Sequence, residues 1–285
     1  GLRIQSHLCL ADTTPCLLVT PVQNRGPAKR GQLIREQMRN KNYNLDPYGT
    51  IKGTVVLLHG RNGRKEDLLA VAERFCAVGF RCLLPDLPAH GESKCETTSY
   101  GLSDFDQSFA DSVLQVMAAE YHFEDNSTYL WGMSMGGAFT SAALKNTPNR
   151  WNAAVIVCSF DSLPNIIEDK ARAIMPFGSQ TFAKAVINKI NATHSIDCSQ
   201  IKPSQWLANS DTLILFAHGT DDSLISMDRG ISLYQHAGCS NKKWLAVKNA
   251  DHNNILVTPM PLFSEMAAWF LDNTARHHKR DNSKF

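Results

Sequence analysis

The sequence predicts an α/β protein built on a mostly parallel sheet with helices on both faces. From residue 51 onward, short apolar runs alternate with stretches of helical periodicity, and that alternation builds a parallel sheet joined by helical crossovers. The runs, such as Val55-Val56-Leu57-Leu58, lack the polar alternation of a half-exposed strand and read as strands buried on both faces. A length of 285 residues with 43% hydrophobic content suits one such domain, 1–285, with ample material for a core.

The first 50 residues fit this scheme least. Residues 8–10 and 16–20 can pair as a leading hairpin. Residues 25–42 are basic and predict an exposed helix with Leu33, Ile34 and Met38 turned inward. The regular part begins with a strand over 54–59 that stops at Gly60. A helix over 67–78 follows, with its apolar stripe at Leu68, Leu69, Val71, Ala72 and Phe75 and its stop at Gly79. Residues 80–84 give the next strand. A helix then starts near Ser103, a suitable N-cap, and carries Phe105, Phe109, Val113, Val116 and Met117 at helical spacing. Strands at 128–131, 153–157, 212–217 and 244–247, a helix at 138–144 and a last helix over 261–271 complete the sheet. The stretch 161–211 is long for one crossover and holds a helix-like segment at 182–190, so it is expected to overhang the sheet as a small cap. The charged tail, 273–285, is expected to fray.

Composition narrows the function. A net charge of +2 points to no nucleic-acid partner. The longest apolar runs, such as 153–157, fall far short of the roughly 20 residues of a membrane span. The start, Gly1-Leu2-Arg3-Ile4-Gln5, has no apolar signal-peptide centre, although Gly1 is no natural initiator and leaves room for an upstream segment. The compartment stays open, with the cytoplasm favoured and secretion allowed if a signal was removed. Eight cysteines are scattered without a C-x-x-C pair, and Cys82 and Cys158 sit in apolar runs as buried thiols do. Only Cys9 and Cys16 are spaced to bridge a hairpin, which would imply an oxidising compartment. Asn126-Ser127-Thr128 and Asn191-Ala192-Thr193 fit the glycosylation pattern, relevant only in a secretory pathway.

The chemistry centres on Gly132-Met133-Ser134-Met135-Gly136, which follows a strand and opens a helix. Such a turn would expose the Ser134 hydroxyl above the sheet, and a Cβ at either glycine would collide with neighbouring backbone. The Met135 N–H, in the first turn of the helix, would then point where an oxyanion forms. Taken alone, the pattern also describes an ordinary glycine-flanked turn. Context comes from His218-Gly219-Thr220-Asp221-Asp222 after one strand and Ala250-Asp251-His252 after the next. A serine hydroxyl is nearly inert until a base takes its proton, and a carboxylate is needed to orient that base.

The order serine, acid, histidine resembles that of the α/β-hydrolase-fold serine esterases, in particular the small-cap or capless acyl hydrolases. Residues 195–203, running into 213–219, are similar to the same group. The resemblance covers roughly 51–272 and implies catalytic roles for Ser134, Asp222 and His252. It favours Asp222 over Asp221, because the acid lies three residues past a glycine and Leu224-Ile225 follow. His59-Gly60-Arg61 is similar to the family's turn that aims a second N–H, here that of Arg61, at the oxyanion beside Met135. Pro85-Asp86-Leu87-Pro88-Ala89-His90-Gly91-Glu92-Ser93 is similar to the Asp-x-x-Gly-x-Gly-x-Ser segment, with Pro88-Ala89 where a glycine is frequent.

The expected function is hydrolysis of carboxylic esters through an acyl-enzyme, with no cofactor and no metal, on a small-molecule ester or other acyl substrate. A thioesterase, a lipase or a serine peptidase would use the same triad. A non-catalytic binding protein on this fold would be marked by a missing triad member. Met133 and Met135 are expected to shape an acyl pocket. Arg61, Arg64 and Lys65 would either favour an anionic substrate or be solvated, and His59 is expected to pack behind the oxyanion turn. The sequence leaves the oligomeric state open.

Overall fold

The computed structural model describes residues 1–11, 13–194, 196–257 and 261–274. His277, His278 and the tail from 275 onward lie outside the described residues. Strands β1 (Leu2–Cys9), β2 (Thr14–Pro21), β3 (Gly53–Leu58), β4 (Phe80–Pro85), β5 (Thr128–Met133), β6 (Ala153–Val157), β7 (Leu213–Gly219) and β8 (Lys242–Val247) form one sheet, in the order β1-β2-β4-β3-β5-β6-β7-β8. The β1–β2 hairpin joins antiparallel to β4, and the other six strands run parallel. The hairpin is much longer than the apolar runs at 8–10 and 16–20 indicate. As the edge strand, β1 needs little apolar content, and Ile4 and Leu8 are exposed along it. Cys9 and Cys16 are both buried there as free thiols.

The period of two along each strand sorts the core into two layers. Val55, Leu57, Tyr129 and Trp131 face one side, packed on α1 (Lys29–Asn40), α2 (Leu69–Ala77) and α9 (Leu262–Asp272). Val56, Leu58 and Leu130 face the other, packed on α3 (Asp104–Glu120), α4 (Met135–Asn146) and α8 (Met227–His236). The Ser103 hydroxyl accepts the Asp106 N–H at 3.2 Å and caps α3. Two expected inward residues point out. On α1, Ile34 and Met38 are buried with Gly31 and Arg35, whereas Leu33 is exposed on the other flank of that stripe. Gly31 lies against Ala77, and Arg35 donates to the Ala77 and Asp46 carbonyls at 2.8 and 2.7 Å. On α3, Phe105 is exposed, although its ring meets Phe109 edge-on.

Register then positions the site. Leu58 pairs with Gly132, Met133 with Val157, Val157 with Ala217, and Gly219 with Val247. The carboxyl ends of β3, β5, β6, β7 and β8 are therefore level, and the loops that follow them gather along one edge. Between β6 and β7 run α5 (Leu163–Ile174), α6 (Ser179–His194) and the short α7 (Pro203–Leu207). Ser162 caps α5 by accepting the Asn165 N–H. Asp161 accepts from Ser232 of α8 at 2.9 Å, and Arg229 grips Asp169 of α5 through two 2.7 Å bonds. Among the described residues, no helix is long and apolar enough to cross a membrane.

Candidate active site

Ser134 occupies a backbone conformation that a side chain rarely adopts, φ 55° and ψ −117°. Such strain persists only where the surroundings over-determine it. Here the Ser134 N–H donates to Val157 O at 2.9 Å, and its carbonyl accepts from Ser159 Oγ and the Gly137 N–H, both at 2.9 Å. The flanking glycines are obligatory on steric grounds. A Cβ on Gly132 would stand 2.2 Å from Gly136 O, and one on Gly136 would stand 2.1 Å from Leu58 O. Gly137 meets the same limit, 2.5 Å from Ser159. Ser159 has no sequence signal as a clamp, whereas the doubled glycine Gly136-Gly137 was a visible hint of close packing. The Met135 N–H opens α4 and has no preceding turn to donate into.

Asp222 and His252 meet at this edge. Asp222 Oδ2 accepts the His252 Nδ1–H at 2.8 Å, and Oδ1 accepts the Leu224 and Ile225 N–H groups at 3.0 and 2.8 Å. A carboxylate can only accept, so the proton sits on Nδ1 and leaves Nε2 with its lone pair. Both residues are nearly buried, with Asp222 6% and His252 8% exposed. Burial would raise the Asp222 pKa, but the bonds from His218, His252 and Ile225 outweigh it and hold the carboxyl well below the usual carboxylate range. His218, which opens the acid motif and whose role the sequence leaves open, stands against the acid. Its Nε2–H donates to Ile225 O at 3.0 Å and stands 3.4 Å from Asp222 Oδ2, while its ring stacks on Trp244. Asp221 points away and accepts from Thr220 Oγ1 at 2.8 Å.

The β3 turn is set by His59. Its Nε2 accepts the Leu87 N–H at 3.0 Å, so the proton lies on Nδ1, which donates to Gly60 O at 2.8 Å. Gly60 O also accepts the Gly63 N–H. With that carbonyl drawn one way, the Arg61 N–H across the same planar peptide points the other. Gly60 lies directly on the elbow, since a Cβ there would be 3.4 Å from Ser134 Cβ. Burial lowers the His59 pKa, as protonation would cost the Leu87 bond. The folded state therefore resists a proton that the unfolded chain accepts, and stability falls as pH drops below about 6.5. Urea unfolding of wild type between about pH 7 and pH 5 should show this loss. His59→Gln should flatten that part of the slope.

Lys65 is not solvated. It is 4% exposed, and its ammonium bonds Asp86 Oδ2 at 2.8 Å and Glu92 Oε2 at 2.6 Å. Asp86 is fully buried and also accepts the Lys65 and Glu92 N–H groups. A Cβ on Gly91 would stand 2.2 Å from Asp86 Oδ1. Where a glycine is frequent, Ala89 itself takes φ 63°, held by its N–H to Cys95 O at 2.7 Å. Arg64 pairs with Glu66, and Arg61 is exposed.

Met135 is buried in the core, and Met133 packs against the opposite core layer. Neither lines the mostly apolar cavity near the site, whose walls come from α5, α6 and the segment 96–100. The ligand-type atoms of Cys158, Asp222 and His252 lie within 4.8 Å of one another. Burial pushes the Cys158 thiol up.

Comparisons with known proteins agree with the fold. The structure is similar to an esterase of Pyrococcus furiosus, with TM-score 0.62 and 14% identity over 96% of this chain and 94% of that one. It is similar to a monoacylglycerol lipase of Paleococcus ferrophilus, with TM-score 0.58 and 18% identity over 79% of this chain and 97% of that one. A puromycin-hydrolyzing peptidase of Mycobacterium tuberculosis is similar at TM-score 0.68 and 16% identity, over 96% of this chain but 39% of the other. In sequence, 109 residues are 32% identical to the quorum-quenching protein AidA of Acinetobacter baumannii (strain MDR-ZJ06). That match takes in 37% of this chain and about a third (35%) of the relative's length. Residues 49–208, more than half of the chain, match the family model of serine aminopeptidase S33. With its parallel sheet and flanking helices, the chain belongs to that family of α/β-hydrolases.

Proposed function

We propose that this protein is a serine hydrolase that cleaves carboxylic esters, with Ser134 as nucleophile, His252 as base and Asp222 as its orienting acid. The observation that carries the reading is the 2.8 Å Asp222–His252 contact on the sheet edge that also holds the strained Ser134 turn. Asp222 fixes the tautomer that leaves His252 Nε2 free to take the Ser134 proton. Ser134 Oγ attacks the ester carbonyl, and the Arg61 and Met135 N–H groups hold the oxyanion. Each such donor is worth about 3 kcal/mol of barrier. His252 then returns the proton to the departing alcohol, and water releases the acyl group by the same path. Residues 161–211 act as a small cap over this edge, within a single domain.

The test is labelling with an active-site fluorophosphonate. Wild type should react and Ser134→Ala should not. An unlabelled wild type, or equal labelling of both, would sink the proposal. Among acyl substrates, a small ester should turn over. Turnover of thioesters or peptides alone would keep the triad and replace the ester by those bonds.

A further inference from the structure

Helix α5 is amphipathic, yet Ala171 is its only buried residue. Leu163, Ile166, Ile167, Ala171 and Ile174 recur at helical spacing and all line a cavity of about 720 Å³, with Leu163 and Ile166 also resting on a small core cluster around Phe160 and Trp206. On the opposite wall, Phe182, Val186 and Ile190 of α6 recur every fourth residue and face the same space. Two apolar stripes turned toward a void leave surface that gains free energy when an apolar occupant displaces water. The one cation these helices contribute, Lys170, is tied back to Ser223 O at 2.9 Å. The cavity also reaches the reaction edge, since Arg61 and Leu224, two residues past Asp222, form part of its lining.

We propose that this chamber binds the acyl chain of the substrate, and that the chain is a medium to long aliphatic one. The assignment rests on the reading of Ser134 as nucleophile. The polar groups of the lining, Glu96, Thr97, Thr98 and Tyr100 together with Arg61, lie off these two helices, so a peptide or sugar seated between α5 and α6 would bring amide or hydroxyl groups against apolar walls, at a cost for each unpaired group. An alkyl chain brings none. The acyl side is assigned because that group stays bound through both half-reactions, whereas the alcohol must leave and admit water. Phe182 is exposed and Ile174 more so at the α5–α6 end, so the tail of a longer chain can emerge there.

The experiment measures kcat/KM on nitrophenyl esters from acetyl to palmitoyl, with a parallel series of alkyl acetates carrying the chain on the alcohol. In wild type, kcat/KM should climb with acyl length, by up to roughly fourfold per buried methylene, and then level off. Ala171→Trp and Val186→Trp, one on each wall, should each lower the decanoyl-to-acetyl ratio about tenfold or more, by denying the chain several methylenes of room. Val186 is half-buried and tolerates a large side chain if Ala171→Trp fails to fold. A flat acyl profile in wild type, or an unchanged ratio in a folded variant, overturns the chamber as an acyl site while the hydrolase reading stands. Length dependence confined to the alkyl acetates overturns the acyl assignment. No turnover of any ester, together with no fluorophosphonate labelling, would instead refute the nucleophile.

Discussion

Replacing Asp222 by asparagine should lower kcat by about four orders of magnitude with little change in substrate binding. The reason lies in the two oxygens of this carboxylate. Oδ1 is held by the Leu224 and Ile225 N–H groups, so an asparagine must place its carbonyl there. Its amide NH2 then faces His252 Nδ1, which has to become an acceptor. The proton moves to Nε2, the atom that should take the Ser134 proton, and the base is lost with the geometry intact. Asp221→Asn, one residue away on the exposed side, should stay near wild type, because its carboxylate accepts from Thr220 Oγ1 and its bond to Ala250 O is made by the backbone N–H. Steady-state kinetics on a small ester checks both, and equal losses in the two variants would refute the assignment of the acid. Between about pH 7 and pH 5, titration of Asp222 itself should leave the activity unaffected, since its depressed pKa keeps it ionised there.

Lys65→Met should be the most destabilising change outside the core, by about 3–5 kcal/mol. Asp86 has no solvent access, and its only cation within hydrogen-bonding reach among the described residues is Lys65. Burial would lower the Lys65 pKa, but the bonds to Asp86, Glu92 and Glu66 outweigh it and hold the ammonium charged. The contribution of that raised pKa is full below the ordinary lysine value of about 10.4 and fades only as pH rises through the folded value. Removing the ammonium leaves a buried carboxylate with two N–H donors and no opposite charge. Urea unfolding at neutral pH measures the loss. The double variant Lys65→Met/Asp86→Asn should recover much of it, because it takes away the stranded charge as well. A Lys65→Met protein as stable as wild type would show that water reaches Asp86.

Much of this was legible in the chain. Strands buried on both faces are apolar at nearly every position, so β3, β5, β6 and β7 announce themselves despite Thr54, Thr128 and His218. The glycines of 132–136 are demanded by contacts near 2 Å that no other residue survives. Where expectation and structure part, packing geometry rather than residue type decides. Leu33 and Ile34 are equally apolar neighbours on a helix, and the seating of α1 on the core shared with α2 and α9 turns one inward and leaves the other in solvent. Met133 and Met135 flank the serine in sequence, but a strand-to-helix turn sends both into the core. Lys65 looks like a surface charge until Asp86, 21 residues on, is brought against it.

The sequence by itself determined the sheet, the strained serine turn and the order of serine, acid and histidine, because each rests on local periodicity or on steric limits within a few residues. Only the tertiary structure decided which aspartate faces His252, that His218 stands beside Asp222 and Ser159 holds the Ser134 carbonyl, and that the apolar stripes of α5 and α6 line a cavity as well as resting on a small core cluster. Those facts depend on which chain segments meet across the sheet edge, and pairwise contact between distant segments leaves no periodic trace in either one.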